Sequence, residues 1–200
     1  MSPFPPRLVV ATRNLHKLRE ILRICSDWPV EWVTHRDLDW PDVEESGDTY
    51  LDNALLKART VAAATRQAVL SDDSGIEVDA LGGAPGPRSA RYAGPGASDP
   101  ENLRALIAAV RGVPGSGRTG RYRAVAAVAW PDGRAVHAEA TCEGMLRTKP
   151  AGNGGFGYDP IFEPSGWDRT MAELAPEEKD RISHRGRALR ELKRRLSGTV

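Results

Sequence analysis

The sequence has 200 residues, of which 40% are hydrophobic and 28% charged, a composition that supports a packed core and argues against wholesale disorder. Its 28 basic and 27 acidic residues leave a net charge of +1, which argues against a protein built to coat nucleic acid or anionic lipid. Cys25 and Cys142 lie far apart and outside any CxxC pair, so we expect neither a zinc site nor a disulfide framework, and a reducing compartment.

The N-terminal run Met1-Ser2-Pro3-Phe4-Pro5-Pro6 lacks the charged and then apolar pattern of a signal peptide. The strongest apolar run, residues 124–130, is far shorter than the roughly 20 residues that a membrane-spanning helix needs. We therefore expect a cytoplasmic protein without a membrane partner.

The chain begins with a predicted strand and helix. Residues 8–11 form an apolar run typical of a short buried strand, and Asn14, which follows it, can cap a helix. The apolar side chains that recur at helical spacing after this cap are Leu15, Leu18, Leu22 and Cys25.

A second helix is predicted over residues 50–67, after a short strand at residues 30–33 and an acidic loop at residues 42–48. Thr49 and Asp52 have the spacing of a capping box, which predicts where this helix begins. Its predicted apolar face consists of Leu51, Leu55, Ala58 and Ala62.

The next predicted strand starts at residue 69 and runs into Asp72-Asp73-Ser74-Gly75, and residues 76–78 are interpreted as a return strand. The two acids would then stand at the end of a buried strand, where carboxylates are costly unless they are paired or bind a metal. A plain turn is the alternative, because Asp, Ser and Gly are common turn residues, although a turn does not need two adjacent acids. A loop rich in glycine and proline follows at residues 82–96.

The second half predicts a helix over residues 99–111, strands over residues 122–130 and 135–142, and a last helix over residues 183–196. Pro131-Asp132-Gly133 between the two strands is a hairpin signal. No repeat or linker divides the chain. We therefore predict an α/β fold with a mixed sheet, in a single domain over residues 1–200.

Two segments of the first half suit a phosphorylated ligand. The turn before the first helix offers unpaired N–H groups and a partial positive charge to a phosphate, and Lys17 adds a cation. Glu44-Glu45 and Asp72-Asp73 supply the hard oxygen ligands that magnesium prefers. An ordinary capped helix and a solvated acidic loop are the alternatives.

Two later segments suit a planar ligand. Gly154-Gly155-Phe156-Gly157-Tyr158-Asp159-Pro160 combines glycines, which allow close approach of the backbone, with rings that can stack on a base. In residues 179–185, Ser183 can cap the last helix, and His184 and Arg185 can donate to oxygen atoms of a base or phosphate. A tight loop with aromatics in the core and a charged surface helix are the alternatives.

Taken in order, these segments resemble the inosine triphosphate pyrophosphatase family, which hydrolyses non-standard purine nucleoside triphosphates. The resemblance covers almost the whole chain, and five ordered motifs are more specific than any one of them. The matching stretches are Ala11-Thr12-Arg13-Asn14-Leu15-His16-Lys17, Glu45-Ser46-Gly47-Asp48-Thr49 through Asn53-Ala54 to Lys57-Ala58, Asp72-Asp73-Ser74-Gly75 through Ala80-Leu81-Gly82-Gly83-Ala84-Pro85-Gly86 to Ser89-Ala90-Arg91-Tyr92-Ala93-Gly94, Phe156-Gly157-Tyr158-Asp159-Pro160, and Ser183-His184-Arg185-Gly186.

The resemblance implies a two-lobed α/β fold with a long mixed β-sheet flanked by helices, a central substrate cleft and a homodimer. It also implies Mg²⁺-dependent hydrolysis of ITP, dITP and XTP to the monophosphate and pyrophosphate. Such an activity would keep deaminated purines out of DNA and RNA.

Carried over residue by residue, the resemblance assigns a role to each motif. Asp73 matches the proton acceptor with Asp72 close by, and Glu45 and Asp73 match the magnesium ligands. The residues that would hold the triphosphate are Thr12, Arg13, Asn14, Leu15, His16 and Lys17. The residues that would contact the rest of the substrate are Ser74, Phe156, Gly157, Tyr158, Asp159 and Lys179, with His184 and Arg185 reading the purine.

Two positions depart from the family pattern. Arg13 stands where a small residue, often glycine, is common, which predicts tighter access for the triphosphate. Asp52 replaces the more usual Glu. Since either acid can complete the capping box with Thr49, this interpretation argues against a direct metal role for Asp52.

Two rival functions are open: a nucleotide pyrophosphatase of the septum-formation inhibitor type acting on other nucleotides, and a non-catalytic nucleotide-binding sensor. The ordered Phe-Gly-Tyr-Asp and Ser-His-Arg segments argue against the first. Loss of the acids would be expected of a sensor, yet Glu45, Asp72 and Asp73 are all present.

Overall fold

Six strands form one mixed sheet in the computed structural model, which describes residues 4–198. They are β1 (Arg7–Val10), β2 (Glu31–Val33), β3 (Val69–Val78), β4 (Thr119–Ala129), β5 (Ala135–Leu146) and β6 (Phe162–Pro164). Their order across the sheet is β2-β1-β3-β4-β5-β6. The strand β1 is parallel to β2 and β3, whereas β5 and β6 are antiparallel, which confirms the predicted mixed sheet.

The described residues do not include Met1, Ser2 and Pro3 of the N-terminal run or the last two positions of the predicted domain. No helix within residues 4–198 is long and apolar enough to cross a bilayer.

Helix α1 (Leu15–Ile24) begins where the sequence predicts, because the side chain of Asn14 accepts hydrogen bonds from the backbone N–H groups of two residues of the first turn. The predicted apolar face is wrong at Leu15, which is 41% exposed. Leu18 and Cys25 are buried as predicted and Leu22 is partly buried, while Ile21, which the prediction omits, is fully buried between them at the i, i+3, i+7 spacing of one stripe.

Helix α2 (Tyr50–Thr65) begins after Thr49, whose hydroxyl oxygen accepts from the backbone N–H of Asp52 at 3.1 Å. The predicted start of the helix at Thr49 is therefore confirmed, while the Asp52 carboxylate accepts from the Thr49 hydroxyl at 2.7 Å. The remaining helices are α3 (Asp99–Val110), α4 (Pro176–Ile182) and α5 (His184–Leu196).

The prediction of a return strand after Asp72 and Asp73 is wrong. β3 is one continuous strand of ten residues, and Gly75 within it has no positive φ that would bend the chain. The two acids therefore lie in the interior of the strand. A strand can carry them there because cationic and amide side chains from other elements lie against them.

The chain folds into two compact units, each with its own apolar core. The described part of the first unit comprises residues 4–73, 124–140 and 185–198, and that of the second comprises residues 74–123 and 141–184. The largest core of the first unit packs β1 against α1 and α5, and its members include Leu8, Ile21, Leu70, Leu189 and Leu192. The core of the second unit includes Ile76, Leu106, Ile161, Phe162 and Met171.

Candidate active site

Asp72 and Asp73 are buried in the first unit, with 1% and 3% of their surface exposed. Successive side chains of a strand point to opposite faces, so these adjacent carboxylates meet different neighbours. A buried carboxylate is costly unless charged or polar groups are paired with it. The partners of each acid therefore decide what it can do chemically.

Arg185 is the main partner of Asp72. Its Nε donates to Oδ2 of Asp72 at 3.0 Å, its Nη1 donates to Oε2 of Glu20 at 2.6 Å, and Nζ of Lys17 lies 3.4 Å from Oδ1 of Asp72. Burial alone would raise the pKa of Asp72, but the charges of Arg185, Lys17 and Lys57 outweigh it and hold that pKa well below its usual range. Asp72 is therefore an anion at any physiological pH.

The pKa of Asp73 is shifted in the opposite direction. Burial raises the pKa of Asp73, the negative charge of Glu45 raises it further, and the charges of Lys17 and Lys57 offset only part of this. Nδ2 of Asn53 donates to Oδ2 of Asp73 at 3.1 Å and fixes the carboxylate's position. The resulting carboxylate is more basic than an ordinary aspartate, as a general base requires.

Lys57 of α2 and Glu45 form an ion pair beside these aspartates. Burial would lower the pKa of Lys57, but the charges of Glu45, Asp72 and Asp73 outweigh it and the pKa is raised. Lys57 therefore stays charged and brings a second lysine to the cluster formed with Lys17.

The residues that could hold a magnesium ion are Glu45 and Asp73. Their like charges already oppose each other, since Glu45 raises the pKa of Asp73, and a divalent cation bound between carboxylates would relieve that repulsion. Within residues 4–198 no three His, Cys, Asp or Glu side chains converge as a ready metal site. Magnesium commonly takes only one or two carboxylates, because waters and substrate phosphates complete its shell, so this pair fits it.

The turn before α1 is organised by its own side chains. Oδ1 of Asn14 accepts from the backbone N–H groups of His16 at 2.9 Å and of Lys17 at 3.1 Å, and Oγ1 of Thr12 accepts from the N–H of Asn14 at 3.2 Å. Three backbone donors of the predicted phosphate site thus already have partners. The side chain of Lys17 extends from this turn to Asp72 of β3.

Arg13 and Leu15 of the same turn are placed differently. The guanidinium of Arg13 donates to the backbone oxygen of Trp40 at 2.8 Å, and Leu15 is 41% exposed. Contacts of either residue with a triphosphate stay predictions.

Asp159 is the centre of the polar cluster in the second unit. It is 3% exposed and accepts from Nζ of Lys179 at 2.5 Å, from the backbone N–H of Phe156 at 2.8 Å and from the Tyr122 hydroxyl at 3.2 Å. Nζ of Lys179 also lies 5.0 Å from the centre of the Phe156 ring, at cation–π distance. Asp159 thus holds both a cation and an aromatic loop in place.

Further contacts fix the rest of this glycine-rich segment. The Tyr158 hydroxyl donates to the backbone oxygen of Ser89 at 2.7 Å, and the N–H of Gly157 donates to Oδ2 of Asp99 at 3.2 Å. The His184 ring stacks on Tyr122, with centroids 4.5 Å apart and an interplanar angle of 7°. Because Tyr158 is buried with its hydroxyl bonded, its contribution is to position the loop.

The structure thus divides the predicted site residues between the two units. The first unit brings Lys17, Glu45, Asp72, Asp73 and Arg185 together, and the second holds Phe156, Gly157, Tyr158, Asp159, Lys179 and His184, with Ser74 partly buried. Arg185 is only 2% exposed and its guanidinium is occupied by Asp72 and Glu20. Its predicted role of reading the purine stays a prediction, and its contacts support a positioning role instead.

Three residues of the acid cluster have no role in the sequence prediction: Glu20, Asn53 and Lys57. A helical spacing could have revealed them, because Glu20 lies three residues after Lys17 on α1, and Asn53 and Lys57 lie four apart on α2. A single Glu or Lys on a helix is usually solvated, and this is why the spacing alone did not single them out.

Comparisons with known proteins agree with the fold and the order of the motifs. Residues 8–195 match the model of the Ham1 family. A dITP/XTP pyrophosphatase of Geobacillus kaustophilus is 46% identical over 186 residues, 92% of this chain and 91% of that protein. One of Symbiobacterium thermophilum is 49% identical over 190 residues, 95% of this chain and 94% of that protein.

Solved structures give the same answer. A HAM1 protein of Coxiella burnetii superposes with a TM-score of 0.87 at 37% identity, covering 97% of this chain and 100% of that one. A nucleoside-triphosphatase / dITP/XTP pyrophosphatase of Mycobacterium abscessus has a TM-score of 0.75 at 43% identity, covering 93% of this chain and 98% of that one. With a family match across nearly its whole length, relatives of this identity and a shared fold, the chain belongs to the Ham1 family.

Proposed function

We propose that this protein hydrolyses non-standard purine nucleoside triphosphates (ITP, dITP and XTP) to the monophosphate and pyrophosphate. The observation that carries the proposal is the buried acid cluster, in which Asp72 and Asp73 lie among Lys17, Lys57 and Arg185. Relatives that are 46–49% identical over more than nine-tenths of the chain are dITP/XTP pyrophosphatases, which supports the substrate class. The activity would keep deaminated purines out of DNA and RNA.

Magnesium is the proposed cofactor, held by Glu45 and Asp73. When bound, it would offset the negative charge that develops on the phosphate oxygens. Thr12, Asn14 and Lys17 would bind the triphosphate, with Lys17 placed near the leaving pyrophosphate. Arg13, Leu15 and His16 complete the proposed triphosphate-binding turn.

Asp73 is the proposed general base. Its raised pKa makes one of its carboxylate oxygens a good acceptor for the proton of a water that attacks the α-phosphorus. Asp72 is locked as an anion by Arg185, and it is suited to holding Lys17 in place rather than to moving a proton. This assigns different tasks to the two acids.

Base recognition is proposed for the second unit. Phe156 would stack on the purine, and Ser74, Gly157, Tyr158 and Asp159 would line or support the nucleoside site. His184 and Lys179 can donate to the 6-oxo group of hypoxanthine or xanthine. Adenine carries an amino group at that position and would leave the donors without an acceptor, which discriminates strongly.

The test is a product assay with dITP, XTP, dATP and dGTP, each with and without magnesium. We expect monophosphate and pyrophosphate from dITP and XTP but not from dATP, and only with magnesium. Guanine also has a 6-oxo group, so rejection of dGTP would require a further contact near its 2-amino group. Equal hydrolysis of all four would overturn the specificity, and release of orthophosphate would overturn the bond assignment. Tight dITP binding without turnover would favour a sensor.

A homodimer of single-domain chains in the cytoplasm completes the proposal. The support for the reducing compartment is that Cys25 and Cys142 are both buried thiols. Light scattering coupled to size-exclusion chromatography measures the mass directly, and a mass of one chain at micromolar concentration would contradict the dimer.

A further inference from the structure

Arg13 contacts a segment that has no regular secondary structure. The proposed reaction depends on this segment. Residues 38–47, here called the acidic segment, contain no helix or strand and carry Glu45, the proposed magnesium ligand. We propose that Arg13 is a positioning residue that ties the triphosphate-binding turn to the acidic segment, so that the phosphate and magnesium ligands are held in register. This inference rests on the proposed function.

Three contacts carry the inference. Nη2 of Arg13 donates to the backbone oxygen of Trp40 at 2.8 Å and to Oδ1 of Asp39 at 3.2 Å, and its Nε lies 3.3 Å from Oδ1 of Asp42. One planar guanidinium thus contacts three residues of a four-residue stretch at once, which a lysine ammonium with a single charge centre does less rigidly.

The contact with the backbone matters most. Asp39 and Asp42 are 94% and 87% exposed, so their ion pairs with Arg13 contribute little free energy on their own. Trp40 is only 7% exposed, and its ring lies in an apolar cluster of the first unit. Arg13 therefore bonds the acidic segment at the point where its backbone is already anchored by a buried side chain.

The other anchors lie at the opposite end of the segment. The N–H of Gly47 donates to Oδ1 of Asn53 at 2.8 Å, and Glu45 is paired with Lys57 of α2. Glu45 therefore lies between the Arg13 contact and the α2 contacts. Loss of the Arg13 contact would leave the Trp40 end of the segment held by apolar packing without a hydrogen bond from the triphosphate-binding turn, and the carboxylate of Glu45 would sample more positions.

The experiment compares Arg13→Ala and Arg13→Lys with Arg19→Ala, an exposed arginine on α1 that serves as the matched control. Backbone hydrogen exchange of the acidic segment is measured in the nucleotide-free protein, and Mg²⁺ binding is measured by calorimetry. Steady-state assays with dITP then give kcat, KM for dITP and the Mg²⁺ concentration at half-maximal rate.

We expect Arg13→Ala to speed exchange in the acidic segment and to weaken Mg²⁺ binding, each by about tenfold, as expected when an ordered segment loses one fixing contact. Raising the Mg²⁺ concentration should recover part of the lost dITP turnover, because mass action then offsets the weaker Mg²⁺ binding. Arg13→Lys should recover part of the effect, and Arg19→Ala should match the wild type.

A second test changes the two carboxylates that contact Arg13. Asp39→Asn combined with Asp42→Asn should reproduce only a small part of the Arg13→Ala effect, since both ion pairs are lost while the hydrogen bond to the backbone of Trp40 remains. If Arg13→Ala instead raises KM for dITP with unchanged exchange and Mg²⁺ binding, Arg13 binds the triphosphate directly and the positioning role is wrong. If the wild type fails to hydrolyse dITP, the proposed function fails, while exchange and Mg²⁺ binding still decide the role of Arg13.

Discussion

Asp72 and Asp73 follow each other on β3 and are equally buried, yet their neighbours shift their pKa values in opposite directions. Arg185 and Lys17 lower the pKa of Asp72, whereas burial and Glu45 raise the pKa of Asp73. The difference follows from the alternation of side chains along a strand, which gives Arg185 to Asp72 and Glu45 and Asn53 to Asp73, beside the two lysines that act on both. Two chemically identical residues can therefore serve as a fixed anion and as a base.

Asp73→Asn should remove nearly all turnover without destabilising the fold. The pKa of Asp73 is higher in the folded than in the unfolded chain, so this group favours folding at low pH and disfavours it once the pH rises above the folded pKa. A neutral asparagine avoids that cost. We expect kcat for dITP to fall by about 10²–10⁴-fold, the usual contribution of a general base. Urea unfolding without magnesium should give an equal or higher free energy of unfolding.

The matched control is Asp132→Asn in the exposed turn between β4 and β5, which should leave kcat unchanged. Near-normal turnover by Asp73→Asn would show that another group accepts the proton. A large loss of stability would show that the ionised carboxylate stabilises the folded chain.

Arg185→Met tests the buried charge network at the same scale. The substitution leaves Asp72 and Glu20 as buried anions without their shared cation, and breaking such a pair costs about 3–5 kcal/mol. Arg7→Met removes an ion pair with Glu31 whose side chains are 50% and 65% exposed, and it should cost less than about 1 kcal/mol. Urea unfolding of both variants provides the comparison, and equal losses would contradict the assigned role of Arg185.

At the scale of elements, the contact between β5 and β6 depends on a glycine. Gly144 of β5 pairs with Pro164 of β6. A Cβ added at Gly144 would lie 2.6 Å from Cζ of Phe162 and would also meet the backbone oxygen of Glu163. Since backbone is unable to yield as a flexible side chain does, this position requires the absence of a side chain.

Gly144→Ala is therefore expected to lower the free energy of unfolding by about 1–3 kcal/mol, the usual cost of overpacking. Gly112→Ala is the control, because an added Cβ there has no atom within 4 Å and the residue has no positive φ. Thermal and urea unfolding measure both variants. A Gly144→Ala protein as stable as Gly112→Ala would mean that β6 moves away at little cost.

At the scale of the whole molecule, the fold is expected not to depend on the metal. Asp72 and Glu45 already have cationic partners, and Asn53 holds Asp73, so the acids are accommodated by the chain itself. A ligand present near its dissociation constant stabilises a protein by only about 0.4 kcal/mol. Chelation with EDTA should therefore remove dITP turnover while shifting Tm by less than about 4 °C.

Restored activity on adding back magnesium is the control for that experiment. Unfolding on chelation would contradict the prediction, because it would show that the carboxylates depend on a bound cation for folding. Full turnover in EDTA would contradict the proposed cofactor.

Much of the fold is predictable because its signals are local. Asn14 and Thr49 mark where α1 and α2 begin, since a capping side chain bonds to N–H groups only two or three residues away. The hairpin turn after β4 is marked by its own Pro-Asp-Gly run. The ordered motifs were likewise sufficient to place the chain in a family, which the comparisons confirm.

The interior of β3 and the partners of its acids were decided by the tertiary structure. Asp72-Asp73-Ser74-Gly75 has the composition of a turn, and it stays extended because Arg185, 113 residues away from Asp72 in the chain, supplies the compensating charge. Glu20 supplies the second carboxylate for that guanidinium across 165 residues. Propensity and spacing report on neighbours within a few residues. The pairing of buried charges depends on which distant elements pack together, and only the folded chain contains that information.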